Sequence, residues 1–329
     1  EIARGARQTC PTKTGRARLR HGRSAGAVRH GASGQLILRL LPIFLLAACM
    51  PGGPLGSAEI GAAAVSVPFS GSDEDFGGWS GLEVSPDGER FTTLGDRGSI
   101  GSGRLTRTAD GTLTGAAGFT HNRLRDTAGS VTGPDGMDAE GLALRDDGRI
   151  YVSFEGDARI WTYADADGPA AWMPRTPGYD SLQNNSGLEA LAIDAQGRLY
   201  TLPERSGSLY APFPVWRYSG GDDWDEVARL RRDGLWMPVG ADFGPEGQFY
   251  LLERSFNGFG FASRIRRFPA DFSDTGGEIL YESSRLTHGN LEGLAIWRDG
   301  SGTLRAVMMT DNNFRPYQRS EIVEVTLRD

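Results

Sequence analysis

The segment EGLALRDDGRIYVSFE, Glu140 to Glu155, decides the fold. It opens on an acid and a small residue, passes through an apolar stretch to a turn at Asp147-Gly148, and returns as a β-rich run ending on a second acid. A short turn flanked by such runs is a β-hairpin signal. The same unit recurs as EALAIDAQGRLYTLPE from Glu189 to Glu204 and EGLAIWRDGSGTLRAVMMTD from Glu292 to Asp311. Weaker copies run from Ser80 to Arg97 and from Val239 to Arg254. The turn glycines Gly88, Gly148, Gly197, Gly247 and Gly300 are spaced by roughly fifty to sixty residues, a period typical of propeller repeats.

Each repeat continues with further strand-like runs, such as Arg159 to Tyr163 and Ala171 to Met173, Val215 to Tyr218 and Glu226 to Leu230, or Arg264 to Phe268 and Glu278 to Tyr281. Four strands per repeat is the propeller blade. The expected fold is therefore all-β, a β-propeller of five four-stranded blades, with six as the alternative if the long first repeat hides another. The fifth repeat ends after its third strand, Glu321 to Leu327, so its fourth is expected at Ala63 to Val67, closing the ring and removing an exposed edge. The repeats lack helical periodicity, which excludes a helical solenoid.

The acids at the hairpin ends carry the functional signal. With a two-residue turn at Asp147-Gly148, Glu140 and Glu155 are equidistant from the tip and should face each other. Glu189 with Glu204, and Glu292 with Asp311 about a tip at Ser301-Gly302, behave alike. Like charges directly opposite on a sheet are destabilising, and a bound hard cation is the simplest compensation. If the first strand of each blade lines the channel, Glu140, Glu189 and Glu292 converge on one axis. Asp96, Glu155, Glu204, Glu253 and Asp311 then lie slightly farther out, while Ser80 and Val239 break the pattern. The same carboxylates could instead pin backbone amides between blades.

Composition narrows the partner class. Residues 1–48 hold nine basic residues and one acidic residue of the chain's 35 and 42, so the remainder carries a formal charge of −15. Such a surface argues against nucleic acid and for cations. His and Cys are scarce, which disfavours zinc. Gly78-Trp79-Ser80-Gly81-Leu82 fails the nucleophile-elbow pattern at its last position.

The N-terminal portion reads as a targeting segment. The apolar run Leu36 to Ala48 follows a basic stretch and is short for a bilayer span. It ends in Leu46-Ala47-Ala48-Cys49, which resembles the bacterial lipoprotein box. The expected division is a leader over 1–48, a lipidated Cys49 with a linker over 49–61, and the propeller over 62–329. The chain opens on Glu1 and its first Met is Met50, so two starts are open: one at Val28, which would leave residues 1–27 outside the natural product and give a short leader, and one at Met50, which would make the product cytoplasmic. With the leader, the product would be exported and lipid-anchored on the periplasmic side of a bacterial membrane, most simply the outer one, and monomeric. The only cysteines are Cys10 and Cys49, leaving no disulfide after cleavage.

The motifs Trp79-Ser80-Gly81-Leu82-Glu83, Asp87-Gly88, Gly95-Asp96-Arg97-Gly98, Glu204-Arg205-Ser206, Glu253-Arg254-Ser255 and Asn290-Leu291-Glu292-Gly293-Leu294-Ala295 stand in this order. In combination the chain resembles the bacterial phytase-like family, named for an esterase-like activity of phytase, from Phe76 to Leu327. The resemblance implies a secreted propeller hydrolysing phosphoesters or carboxylesters, with calcium as cofactor.

On this reading Glu140, Glu155, Glu204, Asp96, Asp311 and Glu253 are candidate metal ligands. Glu189, Glu292 and His288 are candidate catalytic groups, and Arg97, Arg205, Arg254 and Asn313 are candidate contacts to a small-molecule ester or phosphoester. The absence of Lys after Lys13 argues against inositol hexakisphosphate, which needs dense basic contacts. Two other classes fit the same rim. One is a non-enzymatic cell-surface propeller holding a glycan, peptide or protein through aromatics such as Trp79 or Phe256; the other is a sugar-lactone or glycosidic-bond enzyme.

Overall fold

The structure is a computed structural model that describes residues 64–133, 137–182 and 187–329. The expected leader, Cys49 and the linker lie outside the described residues. Five four-stranded antiparallel sheets form the blades of a propeller. A 3-10 turn at Pro177–Ser181 is the one helical element among the described residues.

Blade one runs Trp79–Val84, Arg90–Gly95, Ser99–Arg107, Leu113–Arg123, and blade two Ala139–Leu144, Ile150–Phe154, Arg159–Tyr163, Ala171–Trp172. Blade three is Leu188–Ile193, Leu199–Pro203, Phe213–Tyr218, Asp225–Leu230, and blade four Met237–Phe243, Phe249–Phe256, Phe261–Phe268, Glu278–Glu282. Blade five takes Asn290–Arg298, Leu304–Asp311 and Glu321–Thr326 from the C-terminal end and Val65–Pro68 from the other. That closing strand pairs Val65 with Glu324 through Pro68 with Glu321. The length of the first repeat goes into a long outer hairpin rather than a sixth blade. Five apolar clusters fill the structure; one joins Leu94 and Ile100 of blade one to Leu142 and Val152 of blade two.

The hairpin tips differ from the two-residue turn expected. In blade two Arg145 donates its N–H to the Arg149 carbonyl at 2.9 Å, and Gly148 donates to the Arg145 carbonyl at 2.8 Å. Three residues thus form the tip, with Gly148 at φ 89°, a left-handed position that favours glycine. In blade five the glycine in that role is Gly302, at φ 86°, rather than Gly300.

All five inner strands share an irregularity one turn from the rim. The ladder slips between Trp79 and Gly81, Ala139 and Leu142, Leu188 and Ala190, Pro238 and Gly240, and Leu291 and Gly293. A β-bulge therefore sits at Ser80, Glu140, Glu189, Val239 and Glu292, and a bulge re-aims the side chain it carries.

The small residue after the bulged position allows inner strands to pack against one another. A Cβ on Gly141 would stand 2.9 Å from the Leu191 backbone nitrogen, and one on Gly240 only 2.2 Å from the Glu292 carbonyl oxygen. Gly240→Ala is expected to cost about 1–3 kcal/mol through overpacking, read as a lower urea midpoint at unchanged m-value.

Candidate functional site

The bulges set the register of the rim, and with it which side chains meet. Glu140 is not paired with Glu155: Ala139 faces Phe154, and Glu155 donates its backbone N–H to the Asp138 carbonyl at 2.8 Å. Likewise Leu188 faces Pro203 while Glu204 bonds to Gly187, and Asp311 faces Asn290 instead of Glu292. The directly opposed pairs expected from the sequence are therefore absent, because the three-residue tip and the bulge each displace the ladder. The acids converge nevertheless, across blades rather than across hairpins.

Two tiers result. The bulge tier holds Ser80, Glu140, Glu189, Val239 and Glu292. The next tier, the residue following each second strand's last paired position beside the bulge, holds Asp96, Glu155, Glu204, Arg254 and Asp311. Blade four thus supplies Arg254 where the others supply an acid. Glu253, expected as a metal ligand, points to the opposite face of its strand. It is fully buried there and held by Arg264 Nε at 2.6 Å and Arg266 Nη2 at 2.6 Å, so its carboxylate belongs to an ion-paired core of blade four.

Arg254 clamps one half of the rim. Its guanidinium donates to Glu204 at 2.9 Å, to Glu292 by a shorter bond, and to Asn290 Oδ1 at 2.9 Å. Burial opposes its charge, but Glu292, Glu189 and Glu204 outweigh that and hold it firmly protonated. Asn290 also donates to Glu292 at 2.8 Å and to Asp311 at 3.3 Å.

Among the described residues, no ion pair clamps the other half of the rim in this way, although Arg254 and Arg205 act on it from a distance. Glu140, Glu155 and Glu189 each bring a carboxylate oxygen within 4.8 Å of the other two, and their carboxylates accept no hydrogen bond among the described residues. Burial raises Glu140 well above the usual carboxylate range, and the charges of Glu189, Glu292, Glu155 and Asp96 add to it. Glu189, only 4% exposed, is raised by burial and Glu204 against the pull of Arg254. Glu155 rises to about 7 through burial, then Glu204 and Asp138.

Asp96 is pushed to about 7 by burial and Asp311. Its Oδ1 is buried and accepts no bond among the described residues, and Gly78 lies so close that a Cβ there would stand 2.3 Å from that atom. A cluster of deprotonatable oxygens at this separation fits a hard cation such as calcium, whose oxygen ligands lie about 2.3–2.6 Å from the ion.

The remaining predicted residues take other positions. Arg97 stacks on Phe314, its guanidinium carbon 3.5 Å from the ring centroid. Arg205 reaches Glu204 at 3.2 Å and is half exposed. Asn313 donates its backbone N–H to Asp311 at 2.5 Å and its amide to Gln318 at 3.0 Å, which fixes the Asp311 carboxylate. His288, expected as a catalytic group entering the same rim, is buried; its Nε2 lies 2.9 Å from the Tyr281 hydroxyl and its Nδ1 3.9 Å from Glu321, neither a member of the two tiers.

Sequence reasoning missed Asp138 and the linking role of Asn290. Asp138 has φ 42°, a conformation uncommon for a non-glycine residue, and its charge acts on both Asp96 and Glu155. Its position just before the inner strand of blade two was the available signal.

Among solved structures, the chain is similar to the PQQ-bound aldose sugar dehydrogenase of Streptomyces coelicolor, at 15% identity and a TM-score of 0.41, over 82% of this chain and 100% of that one. It is similar to a virginiamycin B lyase of Staphylococcus aureus at 12% identity and a TM-score of 0.43, over 81% and 100%. A calcium-binding regucalcin of Agrobacterium tumefaciens gives 10% identity and a TM-score of 0.41 over 78% and 92%. No protein of curated function matches the chain. The family signature described as "Phytase-like: Esterase-like activity of phytase" spans residues 74–314, most of the propeller, and the chain belongs to that family.

Proposed function

We propose that this protein is a metal-dependent hydrolase of phosphoesters or other esters, with the cation held by Glu140, Glu155 and Glu189. The observation that carries this reading is the asymmetry of the rim. The guanidinium of Arg254 forms its ion pairs with Glu204 and Glu292, and among the described residues no ion pair reaches the three close carboxylates of Glu140, Glu155 and Glu189. Calcium, when bound, would supply Lewis-acid polarisation of the ester oxygen and a more acidic water.

The chain's own groups supply proton transfer and orientation. Asp96, at about 7, and Glu292, raised to about 8 by burial and Asp311 against Arg254, both exchange protons near neutral pH, the range suited to general acid–base work. Arg254 and Asn290 hold Glu292 in place. The reading extends to an exported, lipid-anchored monomer with Cys49 as the modified residue, resting on the leader alone.

The test is a phosphoester and carboxylester panel run with calcium and with chelator, alongside calorimetric calcium titration. Glu189→Gln is expected to weaken both calcium binding and turnover by about tenfold or more. Hydrolysis indifferent to chelator and to Glu189→Gln would sink the proposal. A second reading, a ligand-binding propeller without turnover, draws on Tyr210 and Phe259, which are 92% and 89% exposed; tight retention of a panel member without product would favour it.

A further inference from the structure

Outside the acid tiers, a cleft of about 350 Å³ opens between the loops of blades three and four. That volume lies at the low end of the roughly 300–1,000 Å³ range of small-molecule sites. Its walls are of two kinds. Leu209, Leu235, Met237 and Phe256 make an apolar side, and Arg205 with Arg232 make a cationic one. Leu209, Leu235 and Phe256 are each about half exposed, so water now covers apolar surface that a ligand would dry.

Arg232 is the unusual member. It stacks on Phe213 at 5.0 Å and donates to the carbonyls of Gly234 and Ser208, each at 3.1 Å. Among the described residues no carboxylate pairs with it. Burial and the neighbouring Arg205 work against its charge and outweigh the more distant support of Glu204 and Glu253. Among the described residues Arg205 forms one ion pair, with Glu204, which is itself shared with Arg254. Two guanidiniums facing one cleft with so little compensation form a recognition element for a carboxylate or phosphate. The link from Arg205 to Glu204 joins the cleft to the acid tiers.

We propose that this cleft binds the substrate of the hydrolase, and that the substrate is an apolar anion: an ester whose phosphate or carboxylate is held by Arg205 and Arg232 and whose aryl or short alkyl group lies against Leu235, Met237 and Phe256. The proposal rests on the hydrolase reading for its functional meaning, though not for its binding. It also explains why a densely phosphorylated substrate is disfavoured: an apolar wall opposite two arginines matches one anionic group, not several.

The probe is 1-naphthyl phosphate, titrated into the whole protein by calorimetry beside inorganic phosphate and neutral 1-naphthol. The naphthyl phosphate should bind at least about tenfold more tightly than either half alone. Its affinity should fall by about tenfold, equivalent to about 1.4 kcal/mol, in Arg232→Met and separately in Phe256→Ser. Leu235→Ser, at an exposed loop position, serves as the third variant should Arg232→Met fail to fold. Equal affinity for phosphate and naphthyl phosphate, or wild-type affinity in folded variants, overturns the proposal. Binding is expected to persist in chelator and in Glu189→Gln. Retention without turnover would therefore refute the hydrolase reading while leaving the cleft assignment standing, and turnover without loss in the cleft variants would do the reverse.

Discussion

Replacing Arg254 with Met should cost about 3–5 kcal/mol of stability, the usual consequence of removing one partner from a buried ion pair. Arg254, on blade four, is the charge that bridges Glu204 of blade three and Glu292 of blade five, and it also bonds Asn290. Without it Glu189, Glu204 and Glu292 face one another in a buried setting with no cation, and the rim would separate or take up protons. Urea unfolding at pH 5 and pH 8 checks this. The loss should be greater at pH 8, where more of those carboxylates would have to be charged. Equal losses at both values would show that Arg254 acts through packing of its stem rather than through charge.

The second large effect is the pH dependence of the unmodified protein in chelator. Asp96, Glu155 and Asp242 sit at about 7 and Glu292 at about 8, and Glu140, Glu189 and Glu83 are raised as well. Burial is the first cause in each. A carboxyl near 4 when unfolded has then released its proton while the folded form still holds it. The stabilising contribution is full below about pH 4 and is lost as pH rises through about 7 to 8.

Hydrogen-bonded surface acids act oppositely: Asp147, lowered to about 2 by Arg145 and the Arg149 N–H, favours the fold above about pH 4 and loses that effect as pH falls towards about 2. Stability in chelator should therefore be greatest near pH 4–6 and fall by a few kcal/mol by pH 8. Calcium at about a hundred times its dissociation constant should restore about 2.7 kcal/mol at pH 8 and much less at pH 5, where protons compete for the same oxygens. A flat profile in chelator, or an equal calcium effect at both pH values, contradicts this account.

The blades were legible because strand alternation and turn residues are local signals repeated five times. Arg159–Tyr163 was read with its observed bounds, and Phe213–Tyr218 and Glu278–Glu282 to within about two residues. The rim was legible only in composition. The bulges sit where inner strands pack closely, so that a Cβ on Gly240 would run into the Glu292 carbonyl, and no turn rule reports that packing. A slip of one residue reverses every side chain beyond it. Glu253 was read as the fourth blade's acid by residue type, whereas Arg254, seven residues past Gly247 as Glu155 and Glu204 are past Gly148 and Gly197, occupies the place. His288 was misplaced for a related reason: a lone histidine in a polar loop gives no sign that Tyr281 and Glu321 will enclose it.

The strand that closes blade five has a consequence in time as well as in space. Ser66 and Glu321 are hydrogen-bonded across the seam although 255 positions separate them in sequence. Contacts of that span form slowly, because a long loop must close before any bond rewards it. Four blades can assemble in the order in which they are made. The fifth waits for Glu321–Thr326, which must meet Val65–Pro68 before the ring is complete.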